Sequence, residues 1–423
     1  MSENTKVEYT DLSISLTKSL SKSEKKEEGI YFSPKRIIKK IIDIISYECE
    51  ANGFKIKTIL EPSCGSCEFI NELDNSFNKL EITGVERNEN IYDKIKTLKW
   101  VNNNVELIES CFFEYYNRCN KNSYDLIVGN PPYFVMKKKD VPDEFKKIID
   151  GRPNIYIIFL MMCLELLKND GILSFILPNN FLNCLYYEKV RKIIYDKYTI
   201  LDISICSDSE FLETEQTTCV ITVKKIKTNN DNNNVFSILL GDNIIFNTKQ
   251  NIEKIKELIK GTKTLSDIGM KVFVGKVVWN EVKSLLTDDN SKCRLIYSGD
   301  IKNNEIILTK YNNSEKKNYI NKTGETSPLL VVNRGYGRGK YCFQYGIIDF
   351  GEKEYLVENH LICIDWKDSE KKKKLSKDKI FEQYDEIIKS FINPKTEQFI
   401  NLYFENNAIN TTELETIMPL YIN

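Results

Sequence analysis

Ser123-Tyr124-Asp125-Leu126-Ile127-Val128-Gly129-Asn130-Pro131-Pro132-Tyr133 is a short apolar run that stops at two prolines. A bounded run of this length, rich in branched apolar residues, predicts a buried strand. The prolines end it, because neither can donate to a sheet ladder. Working outward, Lys57–Glu61 predicts a strand that enters Pro62-Ser63-Cys64-Gly65-Ser66-Cys67, and 81–86 predicts another. Ile155 to Leu167 is apolar on nearly every side, as in a buried helix. Asn169-Asp170-Gly171 then turns the chain into a strand over Ile172–Leu177, and Thr217–Val223 predicts one more. Upstream, Ser33-Pro34 with Ile37, Ile38, Ile41, Ile42 and Ile45 at helical spacing predicts a helix capped by Ser33. Strands alternating with helices predict an α/β fold: a Rossmann-like, doubly wound, mostly parallel sheet.

In such sheets ligands bind outside the carboxyl ends of the strands, where Asn130 to Tyr133 lies. The prolines fix the backbone and leave carbonyl oxygens free to face a ligand. The Asn130 side-chain oxygen and the Pro131 carbonyl can then accept from one NH2 group. That keeps electron density on the nitrogen and aims it at a methyl donor, while Tyr133 offers a flat ring for a base. The alternative is a strand-ending turn, since Asn-Pro is an ordinary turn starter. The turn around Gly65 lets the backbone approach a nucleoside closely. Glu86 follows at about the spacing of an acid that binds ribose hydroxyls. Cys64-x-x-Cys67 also has the spacing of a redox pair or half a zinc site, but no second pair at suitable spacing accompanies it.

These motifs together resemble the amino-methylating DNA adenine methyltransferases whose cofactor motif precedes the catalytic motif. The resemblance covers roughly residues 29–245. It implies that Tyr31 and Ser33, in Gly29-Ile30-Tyr31-Phe32-Ser33-Pro34, lie beside the methionine part of S-adenosylmethionine. It further implies cofactor contacts from Glu61, Pro62, Cys64, Gly65, Glu86, Phe112 and Asn130, and catalysis by Asn130, Pro131, Pro132 and Tyr133. Asn154-Ile155-Tyr156 and Gly171 to Asn183 match the next two segments. Phe211 matches the aromatic residue that, with Tyr133, sandwiches a flipped base. Two positions depart from the pattern: Cys67 stands where a second glycine is usual, and Cys111 where an Asp is common before Phe112. The implied reaction is methyl transfer to adenine N6 in double-stranded DNA, with no metal. N4 of cytosine, an RNA or protein-glutamine amide, and a binding module without turnover remain alternatives. Whether a cognate restriction endonuclease accompanies the chain as a separate protein stays open.

Length and composition set the frame. A chain of 423 residues exceeds one ordinary core. The expected division is an N-terminal arm over 1–28, a methyltransferase domain over 29–248, a linker helix over 249–262 and a mixed α/β target-recognition domain over 263–423. The single histidine, His360, excludes a multi-histidine metal site and reads as a structural or DNA-facing side chain. Twelve scattered cysteines and the absence of long apolar runs predict an intracellular, cytoplasmic protein without a membrane span. A net charge of −1 leaves any DNA-binding face to local clusters. The candidates are Lys137, Lys138 and Lys139 beside the tetrad, and Arg334, Arg338 and Lys340 in a glycine- and tyrosine-rich loop. Each has a solvated surface as its alternative. Val274 to Asn280 also stands out, whereas Lys371 to Lys374 is expected to face solvent.

Overall fold

The computed structural model describes residues 8–206, 217–226, 233–333, 343–404 and 409–422. The chain divides into two compact units, 1–252 and 253–423.

The first unit is built on a seven-stranded sheet. Its strands are β1 (Thr58–Glu61), β2 (Glu81–Glu86), β3 (Asn104–Glu109), β4 (Tyr124–Gly129), β5 (Leu167–Pro178), β6 (Thr199–Cys206) and β7 (Thr218–Lys224). The spatial order is β3-β2-β1-β4-β5-β7-β6. The first five strands run parallel, and β7 lies antiparallel between β5 and β6. Parallel strands covered on both faces are apolar throughout. Leu126, Ile127 and Val128 of β4 are accordingly buried, and the helix Ile155–Leu166 has all but one of its residues buried. Asp170 does turn the chain through the left-handed region (φ 63°). The strand nevertheless begins before it, at Leu167, and accommodates the turn with a register shift against β4.

Three expectations need correcting. The helix after Ser33 is Lys35–Asn52, with Pro34 rather than Ser33 at its cap, and Ser33 is buried. The segment expected as a flexible or loosely helical arm is helical, in α1 (Asp11–Ser19) and α2 (Lys22–Glu28), but packs into the core rather than standing off it. Thr10 caps the first, and a Ser21/Glu24 capping box opens the second. Leu16 and Leu20 join the core beneath Ile38 and Ile41. In the run from Lys371 to Lys374, Lys372 turns inward. Its ammonium bonds the Pro328 carbonyl and Asp365, both at 2.7 Å, and lies 5.4 Å from the centre of the Trp366 ring.

The second unit carries two four-stranded sheets. One orders Met270–Val274, Ile362–Trp366, Leu329–Val332 and Tyr345–Ile348, all antiparallel. The other orders Leu286–Thr287, Tyr319–Ile320, Cys293–Ile296 and Tyr355–Val357. The helices Lys377–Phe391, Pro394–Tyr403 and Thr411–Thr416 follow. No helix among the described residues is long and apolar enough to cross a membrane.

Candidate active site

The sheet order reverses between β1 and β4, and the loops leaving these strands open a crevice at their carboxyl ends. A cavity of about 480 Å³ occupies it. Its walls come from four stretches: Gly29–Phe32, the turn after β1 (Pro62, Ser63, Gly65), Val85–Arg87 after β2, and Ser110–Phe113 after β3. Asn130, Pro132 and Phe134 to Lys137 close the remaining side.

Asn130 is oriented from two directions. Its Nδ2 donates to the Tyr31 carbonyl at 3.0 Å, and its Oδ1 accepts from the Tyr133 hydroxyl. That hydroxyl also lies 2.8 Å from the Ile176 carbonyl. Burial pushes the Tyr133 phenol up, so it stays a proton donor. Tyr31 and Tyr133 thus hold the two ends of the amide, and an amide oxygen has room for a second donor. The tetrad backbone is held just as closely. Gly29 has φ 66°, and a Cβ built there would fall 2.5 Å from the Tyr133 nitrogen, so only glycine fits. Tyr133 itself is half-buried edge-on against Tyr156, which in turn meets Tyr187.

On the β1–β2 side, Glu86 gathers the turn. Its two oxygens accept from the amides of Gly65 (2.9 Å) and Asn88 (2.7 Å). Burial raises its pKa, and those backbone amides oppose the rise. Glu61 is buried too, and burial pushes its carboxyl well up, with Cys67, Glu86 and Glu68 adding to the rise. Its Oε2 has no hydrogen-bond partner among the described residues. This oxygen is orphaned beside two more buried carboxylates, Glu68 and Glu86. The turn is clamped from outside: Thr10 donates backbone and hydroxyl hydrogens to Glu68 (3.0 and 2.8 Å), and Ser13 bonds Glu68 and Ser66. The N-terminal helix α1 therefore fixes the turn that shapes the cavity.

Of the residues singled out from the sequence, Tyr31, Pro62, Gly65, Glu86, Phe112, Asn130, Pro132 and Lys137 line this cavity. Ser33, Glu61 and Cys64 are buried beside these lining segments but are not among the wall residues. Cys67, also buried, adopts φ 63° and so takes the left-handed conformation that a glycine would hold there. Lys138 and Lys139 are exposed on a 3-10 turn. Phe211, Arg334, Arg338 and Lys340 lie outside the described residues. Sequence reasoning missed Arg87, Ile91, Ser110, Phe113, Val135, Met136 and Phe159 in the walls. It also missed the Arg87–Glu28 ion pair (3.1 Å) at the rim. Position was the available signal for several of these, since each of the loops they occupy directly follows a parallel strand. No group of potential metal ligands is present among the described residues.

Residues 3–211 match the Eco57I restriction-modification methylase family. The modification methylase CviBIII of Paramecium bursaria Chlorella virus NC1A is 28% identical over 98% of this chain and 99% of its own length. The type II methyltransferase M.CvrRI of Paramecium bursaria Chlorella virus XZ-6E is 26% identical over 97% and 98%. Among solved structures, that of a DrdV–DNA complex covers 97% of this chain and 57% of its own, at 13% identity and a TM-score of 0.52, a likeness of fold. Residues 3–211 are thus similar to the Eco57I restriction-modification methylases, and the chain is similar over nearly its whole length to modification methylases of chlorella viruses.

Proposed function

We propose that the chain is a site-specific DNA methyltransferase that moves a methyl group from S-adenosylmethionine to N6 of adenine in double-stranded DNA. The observation that carries this reading is the double anchoring of Asn130, which fixes its amide in the wall of a cavity at the sheet's switch point. Relatives named as modification methylases and type II methyltransferases support the same chemistry.

The cavity residues fit the cofactor. Glu86 sits where it can accept from ribose hydroxyls, Phe112 offers an apolar wall for the adenine, and Gly65 permits close approach. The orphan oxygen of Glu61 and its acidic neighbours suit a positively charged donor. When bound, S-adenosylmethionine supplies an electrophilic sulfonium methyl. The chain's own task is positioning. The target adenine is flipped from the duplex, at a cost of a few kcal/mol. Its N6 donates to Asn130 Oδ1 and to the Pro131 carbonyl, with the base against Tyr133 and, in this reading, Phe211. Both acceptors keep the nitrogen lone pair available and in line, and direct displacement needs no covalent enzyme intermediate and no metal. Lys137, Lys138, Lys139, Arg334, Arg338 and Lys340 are proposed to meet the DNA backbone or base edges.

The test is incubation with methyl-labelled S-adenosylmethionine and AT-rich duplex DNA, followed by digestion to nucleosides. Label in N6-methyladenosine is the expected result. Label in cytosine changes the base and keeps the mechanism, and label only in RNA or protein overturns the DNA reading.

A further inference from the structure

The segment from Val274 to Asn280 has no part in the cavity, yet its backbone is constrained. The antiparallel ladder between Met270–Val274 and Ile362–Trp366 ends at the Val274–Ile362 pair. Beyond it the chains stay in contact: Gly275 N donates to the Leu361 carbonyl (3.0 Å), and Val277 forms a parallel bridge to Glu358, its carbonyl accepting from Asn359 N (2.9 Å). Gly275 and Val277 thus bond Leu361 and Asn359, the two residues that flank His360, and Lys276 and His360 are both exposed. A Cβ at Gly275 would lie 2.2 Å from the Glu358 carbonyl oxygen, so only glycine lets the two segments close so tightly.

His360 is held in an unusual way for a surface side chain. It is 54% exposed, whereas its partner Glu358 is 2% exposed. One oxygen of Glu358 takes the imidazole Nδ1, and the other accepts the His360 backbone amide at 3.1 Å. Burying a carboxylate is costly unless its partners satisfy it. Here both oxygens are spent on orienting one exposed ring. Glu358 also faces the charge of Lys316, whose ammonium sits over the rings of Tyr297 (4.1 Å) and Tyr311 (4.3 Å). With Nδ1 engaged, the tautomer is set and Nε2 is the nitrogen left for a ligand.

We infer that His360 is a base-reading side chain of the C-terminal unit, with Lys276 beside it as a phosphate contact. The inference rests on the DNA reading above. In its neutral form the imidazole presents Nε2 as an acceptor, which matches the exocyclic amines of adenine or cytosine in the major groove. Lys276 supplies the sequence-independent cation next to it. A histidine pinned by a buried carboxylate is rigid enough to discriminate, as an unanchored surface side chain is not.

The experiment compares the full-length wild type with H360A, H360Q and K276A. Methylation is mapped on a randomised duplex library, and binding to single duplexes is measured over a range of salt. For H360A, preference at one base position is expected to relax by about ten- to a hundredfold, with cofactor binding unchanged and a lower melting temperature as Glu358 loses a partner. H360Q is expected to shift preference at that same position. K276A is expected to weaken binding to all sequences and to lower the salt slope by about one. An H360A site profile identical to wild type overturns the inference alone, as does a loss that is uniform across sequences. Wild-type protein that neither binds nor methylates duplex DNA overturns the functional reading and this inference with it.

Discussion

The Asn130 side chain donates its Nδ2 hydrogen to the backbone carbonyl of Tyr31, 99 residues earlier in the chain and 3.0 Å away. This bond fixes one end of an amide that lines the cavity. Asn130→Ala removes both the acceptor and the tie, but leaves the Gly65–Glu86 side of the cavity untouched. Turnover is expected to fall by about a hundred- to a thousandfold, the scale of losing one positioned polar group at a reacting centre. Cofactor affinity by calorimetry should change only a few-fold. Near-normal turnover would remove Asn130 from the chemistry.

Gly29 tests the same arrangement from the backbone side. Alanine there would bring a methyl group to 2.5 Å from the Tyr133 nitrogen, at a φ of 66°. The left-handed conformation alone costs about 1–2 kcal/mol for a residue with a side chain. Gly29→Ala is therefore expected to lower stability by at least that much in chemical denaturation. It should also depress turnover more than it raises KM, since the displaced group belongs to the tetrad. A variant of wild-type stability and rate would show that residues 29–32 are free to move off the tetrad.

Much of this site was legible because its motifs are local. Asn130 to Tyr133 and the Gly65 turn each directly follow an apolar strand, and chain order alone places them on one sheet edge. The two missed strands had weaker patterns. β3 (Asn104–Glu109) is an edge strand whose apolar residues alternate with Asn and Glu, and none of its residues is buried. β6 (Thr199–Cys206) carries Ile203 and Ile205 alternating with Asp202 and Ser204, a period of two that was readable. Thr10 and the Ser21-x-x-Glu24 box were equally readable as helix caps. What no local pattern reveals is the long-range pairing: Thr10 and Ser13 with Glu68, Tyr31 with Asn130, and Val277 with Glu358. Those depend on tertiary closure, not on periodicity.

Cys67 departs from the usual glycine but keeps its conformation, with φ 63° and a fully buried thiol. Two effects therefore oppose one another in Cys67→Gly. Relief of the left-handed penalty gains about 1 kcal/mol, and loss of the packed thiol gives back a similar amount. Stability should remain within about 1 kcal/mol of wild type, with cofactor binding preserved. Cys67→Val, with a β-branched side chain in a conformation such residues rarely adopt, should be clearly less stable. Equal destabilisation by both substitutions would mean that the thiol's packing, not the backbone, governs this position.

Glu61 carries a pH signature of its own. Burial holds its carboxyl well above the usual carboxylate range, and Cys67, Glu86 and Glu68 add to the rise. A carboxyl whose folded pKa is raised contributes stability that is fully present below its unfolded value, about 4.3, and is lost as pH rises through the folded value. Glu61→Gln removes the ionisation, and with it the cost of a buried charge whose Oε2 is unpartnered. The ligand-free variant is thus expected to melt higher than wild type at neutral pH, by on the order of 1 kcal/mol. That advantage should shrink as pH falls toward the unfolded carboxyl value. Cofactor affinity should move the opposite way, since the glutamine no longer offers negative charge to a sulfonium donor. Melting curves and calorimetry across this range check both halves. A variant that melts lower than wild type at neutral pH would mean that the Glu61 carboxylate is ionised and stabilised in the free protein.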